Sequence, residues 1–238
     1  MKKEEALLRL LEKYSVETKT PINIAYGWSL LNKQLQKNDV PLLTWRANRK
    51  FIELHKIVSG DTIENVCMLR FCSFGGKKWS LDALMYKEFD LCEYLGGGKI
   101  VSLHAVLNER LAGNIIVKLD NGIIGSVEVS VQAQPEEKLL DRHEIIARRG
   151  VASDLVTDTQ ISQSSIYTYT NTGASKYKDV DYELFGLNEL EVEYIRSAFE
   201  VYKEPSQITK LQNQHAHLSV LVKAAFESNF KKQKIEIK

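Results

Sequence analysis

The chain has few cysteines: Cys67, Cys72 and Cys92 are the only three in 238 residues. An odd count without regular spacing is no disulfide framework, and no Cys/His grouping has zinc-ligand spacing. Cys67 and Cys72 sit in the apolar run Val66–Phe74, where thiols are expected to be buried as small hydrophobes. The chain also lacks any apolar run long enough to span a bilayer, and its leucine-rich start, MKKEEALLRLLEKY, is too charged for a signal peptide. These absences lead us to expect no membrane association and a reducing, cytoplasmic setting. Charge of one sign is missing too: 32 Lys+Arg against 31 Asp+Glu give a net charge of +1, which argues against a nucleic-acid partner. No G-x-G-x-x-G occurs anywhere, so the usual cradle for a dinucleotide pyrophosphate is not encoded. Pro is sparse (4) and Gly ordinary (13), while 44% of residues are hydrophobic, which is enough to build a globular core.

Residues 4–14 carry Leu7, Leu8, Leu10 and Leu11 at helical spacing. This stretch looks like an adapted helix and is expected at a native start. Ile22–Tyr26 reads as a strand, Ser29–Lys37 as a helix and Val40–Trp45 as a second strand, a βαβ unit with two parallel strands. Asn48–Ser59 is helical and closed by Gly60, Ile63–Phe74 is a strand, and Leu81–Leu95 is a helix stopped by Gly96-Gly97-Gly98. Ile100–Leu107, Asn114–Leu119 and Ile123–Val131 follow as strands. The last two are joined through Asp120-Asn121-Gly122, where both Asn121 and Gly122 are expected at positive φ. His143–Arg148 and Ile161–Thr170 extend the run of strands. Helices over 189–201 and 207–230 come next, then a short strand at Ile235–Ile237. The pattern predicts an α+β fold with an open, mostly antiparallel sheet and helices on one face.

Three stretches then resemble one family. Asp39–Phe51 running on to Ser59-Gly60-Asp-Thr-Ile-Glu-Asn-Val66 is the first. Asp90-Leu-Cys-Glu-Tyr-Leu-Gly96 with Leu119-Asp-Asn-Gly-Ile-Ile-Gly-Ser-Val-Glu-Val-Ser130 is the second. Glu189–Tyr202, Pro205 and Leu218–Ile237 form the third. Their order and spacing resemble the Gfo/Idh/MocA oxidoreductases over about residues 22–238. The resemblance implies a Rossmann-like remnant over 1–47 (a helix plus the βαβ unit) and a C-terminal α/β domain over 48–238. It also implies that the open sheet face forms a homodimer or higher homo-oligomer. Tyr167 and Tyr169 are expected to contribute to that face beside Ile123–Val131.

The family's catalytic residues are largely missing. No Glu-Lys-Pro precedes or accompanies the residue-22 strand, and Lys203-Glu204-Pro205 lies between two helices. Counting back from Asp90, the family's D-x-x-x-H pair falls on Ala83 and Lys87, with Asp82 one position off. A lysine of ordinary pKa is a poor base near neutrality. The resemblance makes Arg46, Arg49, Trp79, Asp82, Tyr86, Lys87 and Asp90 the ligand-binding candidates. Aromatic rings beside polar groups suit a sugar-type small molecule. His143 reads as a strand-edge residue, and His215 and His217 are too close on one helix to share a metal. The sequence therefore points to a shortened, non-catalytic homologue acting as a dimerising, sugar-binding module, with no cofactor expected. The alternatives are an NAD(P)-dependent sugar or sugar-nucleotide dehydrogenase completed by another chain, and a scaffold that binds no small molecule.

Overall fold

A computed structural model describes residues 2–18, 21–60, 62–132, 139–154, 166–170, 173–177, 184 and 186–237, with the backbone alone described in 166–170 and 173–177. Helix α1 (Lys3–Lys13) buries Ala6, Leu10 and Leu11, with Glu4 and Glu5 in its first turn and Lys13 in its last, where they complement the helix dipole. Its apolar side packs with Ile195 of α4 (Glu189–Lys203).

Strands β1 (Asn23–Tyr26) and β2 (Asp39–Leu42) pair in parallel, with Ile24 opposite Val40. The helix expected over 29–37 is not formed. A four-residue 3-10 turn, Gly27–Leu30, leads into irregular backbone in which Leu31 is extended and Asn32 has a φ of 63°. Tertiary packing overrides a marginal nine-residue helix here. The Trp28 ring stacks on Tyr26 and Trp45 at centroid distances of 4.5 and 5.6 Å, and Leu31 packs on the core. The second strand also stops short of Trp45. A second 3-10 turn, Thr44–Ala47, swings that indole into the core, where it is buried.

Helix α2 (Arg49–Ser59) starts at Asn48, whose side chain accepts from the Lys50 amide, and buries Phe51 and Leu54. A six-stranded sheet follows, built from β3 (Glu64–Phe74), β4 (Ile100–Asn108), β5 (Ala112–Leu119), β6 (Ile124–Ser130), β7 (Leu140–Ser153) and β10 (Ile235–Glu236). Its order is β10-β4-β5-β6-β3-β7, antiparallel except for the β3–β6 pair. At the β5–β6 hairpin only Gly122 has positive φ (90°), not Asn121. The loop is therefore of the three-residue kind that needs one left-handed position.

Helix α3 (Leu81–Gly96) is buried at every residue but Tyr94. It lies between the sheet and α2 and α5 (Gln207–Lys231), and ends at Gly97 in the left-handed region, φ 67°. α5 covers β4, so the helices sit on one face of the sheet. The opposite face presents Met68, Val106, Ile116 and Ile124, each 44–64% exposed, among Arg70, Lys118 and Asn114. The fold is thus α+β with an open, mostly antiparallel sheet. β8 (Ile166–Thr170) pairs with β9 (Gly173–Tyr177) in a two-stranded sheet of its own. The side chains of Tyr167 and Tyr169, and residues 161–165, lie outside the described residues.

Cys72 and Cys92 are buried, but Cys67 is exposed. The β3–β7 register shifts between Val66 and Met68, and that bulge turns the Cys67 thiol outward, where it donates to the Ile146 carbonyl. Among the described residues no helix is long and apolar enough to cross a membrane.

Candidate functional site

The principal concavity is a cleft of about 860 Å³. Its walls come from the ends of β1 and β2, the starts of α2 and α4, the loop before α3, α3 itself and the first residues of β7. All three tryptophans of the chain, Trp28, Trp45 and Trp79, line it together with Tyr26 and Phe51. Trp28 is the hub: Tyr26 stacks on it, Trp45 lies nearly parallel, and Trp79 is tilted at 5.6 Å. The polar lining includes Lys50, Lys78, Lys87, Asp141, Glu189 and Glu193.

The cleft floor rests on a buried charge network. The Lys87 ammonium donates to Asp141 at 2.7 Å and to Glu88 at 3.1 Å. His143 is fully buried, its Nε2 3.0 Å from Glu88 and its Nδ1 2.6 Å from Asp154. Ser73 donates to Asp141, and Lys50 lies 3.4 Å from Asp141 and 3.3 Å from Asp154. Burial alone would lower the pKa of Lys87, but Asp141 and Glu88 hold it above its ordinary value. Burial likewise opposes ionisation of Asp141 and Glu88, yet Lys87 and then His143 hold both below the usual carboxylate range. His143 is raised against the effect of burial by Glu88 and Asp154. With a carboxylate against each ring nitrogen it bridges two acids inside the protein and is not the ordinary strand-edge residue expected from sequence. Ligand atoms of Glu88, Asp141 and His143 lie within 4.8 Å of one another, a spacing that suits a metal. The Lys87 ammonium already takes the cation position between the two carboxylates.

Glu193 behaves differently. Its carboxylate accepts from Asn48 Nδ2 at 2.6 Å, and the same amide reaches Glu189 at 3.0 Å. Burial pushes Glu193 up to about 7 despite Asn48 and Lys87, which pull it down. Thr44, also in the wall, is fully buried, and its Oγ1 has no hydrogen-bond partner among the described residues.

The seven candidate side chains separate into several settings. Trp79 and Lys87 line the cleft. Asp90 stands behind it, fully buried, accepting from Trp45 Nε1 at 2.7 Å and from both sides of the Arg46 fork at 2.8 and 2.6 Å. Arg46 itself lines a second, more apolar cleft of about 540 Å³ between α1, α4 and α5. Tyr86 is buried with its hydroxyl 2.9 Å from His215 Nδ1. Asp82 is clamped by Arg110 at 2.5 and 2.6 Å, and Arg49 opens α2 without lining either cleft. His215 and His217 diverge as their spacing predicts, to Tyr86 and to Glu93. Sequence reasoning missed Tyr26, Trp28, Trp45, Glu189 and Glu193. An available signal was that Tyr26, Trp28 and Trp45 lie at or just past the ends of two parallel strands, where open α/β sheets bind ligands. Glu193 carries no such signal.

The described residues do not fit a dinucleotide. β1 and β2 are each followed by a four-residue 3-10 turn rather than directly by a helix N-terminus. Gly27, the one glycine after β1, is closed off: a Cβ there would lie 2.5 Å from the Tyr86 hydroxyl and 3.0 Å from the Leu42 carbonyl.

The architecture is that of the Gfo/Idh/MocA-type oxidoreductases, in agreement with the sequence resemblance. Myo-inositol 2-dehydrogenase from Lactobacillus plantarum superposes with a TM-score of 0.61 at 10% identity, covering 84% of this chain and 65% of that one. A myo-inositol dehydrogenase from Corynebacterium glutamicum gives 0.60 at 12% identity (84% and 65%). The scyllo-inositol dehydrogenase of Lactobacillus casei, with NAD(H) and scyllo-inositol bound, gives 0.58 at 11% (83% and 64%). This chain spans slightly less than two thirds of the length of these proteins. No protein-family model and no curated protein matches the sequence.

Proposed function

We propose that this chain is a binding module of Gfo/Idh/MocA type that holds a polyhydroxylated small molecule, a sugar or cyclitol, in the aromatic cleft without transferring hydride. The observation that carries the reading is the convergence of all three tryptophans on one cleft beside acids and lysines. Aromatic faces pack on the C–H surfaces of a sugar ring while polar groups take its hydroxyls. The similar structures whose names specify inositols support the ligand class. Against hydride transfer, Lys87 stands where the resemblance places the acid/base histidine. Its ammonium is buried and bound to two carboxylates, so it has no lone pair to offer near neutrality. The open sheet face, with its exposed Met68, Ile116 and Ile124, is the surface through which the chain would form a dimer.

Because every indole borders the cleft, intrinsic fluorescence reports on its occupancy. Titration with inositols and hexoses should shift the emission, and NAD(H) and NADP(H) should not stabilise the protein thermally. A saturable nicotinamide response would instead support a dehydrogenase completed by another chain. Silence toward all of them would leave a scaffold.

A further inference from the structure

Resting on that reading of the cleft, we infer that its ligand carries a primary ammonium among its hydroxyls, as in an amino sugar or aminocyclitol, and that Glu193 and Glu189 bind the ammonium beside the rings of Tyr26 and Trp28.

Lys87 is spent on Asp141 and Glu88, and Lys50 bridges Asp141 and Asp154, so the cations of the cleft floor are matched by acids. Lys78 is exposed at the loop before α3. Among the described residues the balance reverses at the α4 end. Glu193 and Glu189 stand one helical turn apart and share the single amide of Asn48, a neutral donor that cannot offset two carboxylates. Burial first, then Tyr194, Glu191, Glu193 and Glu4, push the Tyr26 phenol up to about 12. The Tyr26 ring already attracts one cation: the Lys3 ammonium lies 5.1 Å from its centroid and 4.1 Å from that of Tyr194.

A partly buried carboxylate in the cleft wall beside stacked aromatic faces is the setting that favours an ammonium over water. A neutral hydroxyl would leave Glu193 disfavoured as an anion, whereas a cation restores it. The independent pointer to a ligand is Thr44. Its hydroxyl is buried in the cleft wall without a partner among the described residues, whereas buried polar groups are normally paired. Ser197, one turn beyond Glu193 on α4, reaches the Thr44 carbonyl at 3.5 Å, which ties Thr44 to the helix that carries the two acids. A ligand hydroxyl beside the amine would supply the partner this group lacks.

The test compares matched ligands by calorimetry on the full chain at pH 7.5: myo-inositol against a mono-amino-deoxyinositol, and glucose against glucosamine, glucuronate and glucose 6-phosphate. Each amine is expected to bind about ten- to a hundredfold tighter than its hydroxyl parent, as a charge-assisted bond supplies. Glu193→Gln, checked for an unchanged melting temperature, should erase that ratio. If it melts early or binds nothing, Glu189→Gln at the mouth should reduce the ratio several-fold. Equal binding of amine and parent overturns this inference and leaves the neutral-sugar reading standing. Tighter binding of the acids or the phosphate, or an amine preference that survives Glu193→Gln and Glu189→Gln, also overturns it. Failure of every compound to bind overturns the cleft reading and this inference with it.

Discussion

Replacing Lys87 with Met removes one charge from the centre of the molecule while nearly preserving side-chain length. In the native protein the ammonium side chain is 5% exposed and holds Asp141 at 2.7 Å and Glu88 at 3.1 Å. Breaking a buried pair by deleting one partner costs about 3–5 kcal/mol, because the remaining charge stays out of water. Asp141 keeps the Ser73 hydroxyl and the half-exposed Lys50, and Glu88 keeps His143, so the lower end, about 3 kcal/mol, applies. For a chain of this size that corresponds to a fall in melting temperature of roughly 6–12 °C. The pH dependence is part of the prediction. Asp141 and Glu88 are held low in the native protein, so their contribution is present above the unfolded carboxylate pKa of about 4 and is lost as pH falls. Lys87→Met raises both, so its deficit should be full at pH 7 and shrink below about pH 4. Urea denaturation at pH 7 and pH 3.5, fitted with a common m-value, measures both. A deficit under about 1 kcal/mol at pH 7, or one equal at the two pH values, would refute the assignment of Lys87 as a structural cation.

Three further outcomes are expected. Gly27→Ala should cost about 1–3 kcal/mol in chemical denaturation, since its Cβ meets the Tyr86 hydroxyl and the Leu42 carbonyl; an unchanged midpoint would show that this turn yields easily. His143 should remain protonated above the ordinary imidazole pKa of about 6.5, so its stabilising share is full below that pH and is lost as pH rises through the higher folded value. Imidazole NMR shifts that titrate at or below 6.5 would contradict the network. Ile116→Lys on the open face should convert a dimer to monomer in sedimentation velocity at unchanged melting temperature, and the same species for both proteins would place the contact elsewhere.

Secondary structure was legible wherever local pattern and burial agreed. The Leu repeat of α1, the alternation along β6 and the Asn-Gly turn are short-range signals, and their elements form where the spacing places them. The expected helix over 29–37 failed because the ring of Trp28 finds Tyr26, Trp45 and Trp79, a contact that no local window contains. Asp90 and Lys87 were marked by the family resemblance, Lys87 by counting back from Asp90. That spacing says nothing of whether a carboxylate faces a ligand or, as Asp90 does, an arginine and an indole behind the wall.

By itself the sequence determined the order of elements, the α+β class, the resemblance to the oxidoreductase family and the lack of a glycine-rich dinucleotide turn. Each follows from residue type and spacing along the chain. Tertiary structure decided what could not be spaced along it: that Tyr26, Trp28, Trp45, Trp79 and Glu193 share a cleft, and that His143 is sealed between Glu88 and Asp154. It also decided that Lys87 is bound rather than available. The ionisation and role of such groups depend on desolvation and on charges a few ångströms away, and those neighbours come from segments distant in sequence.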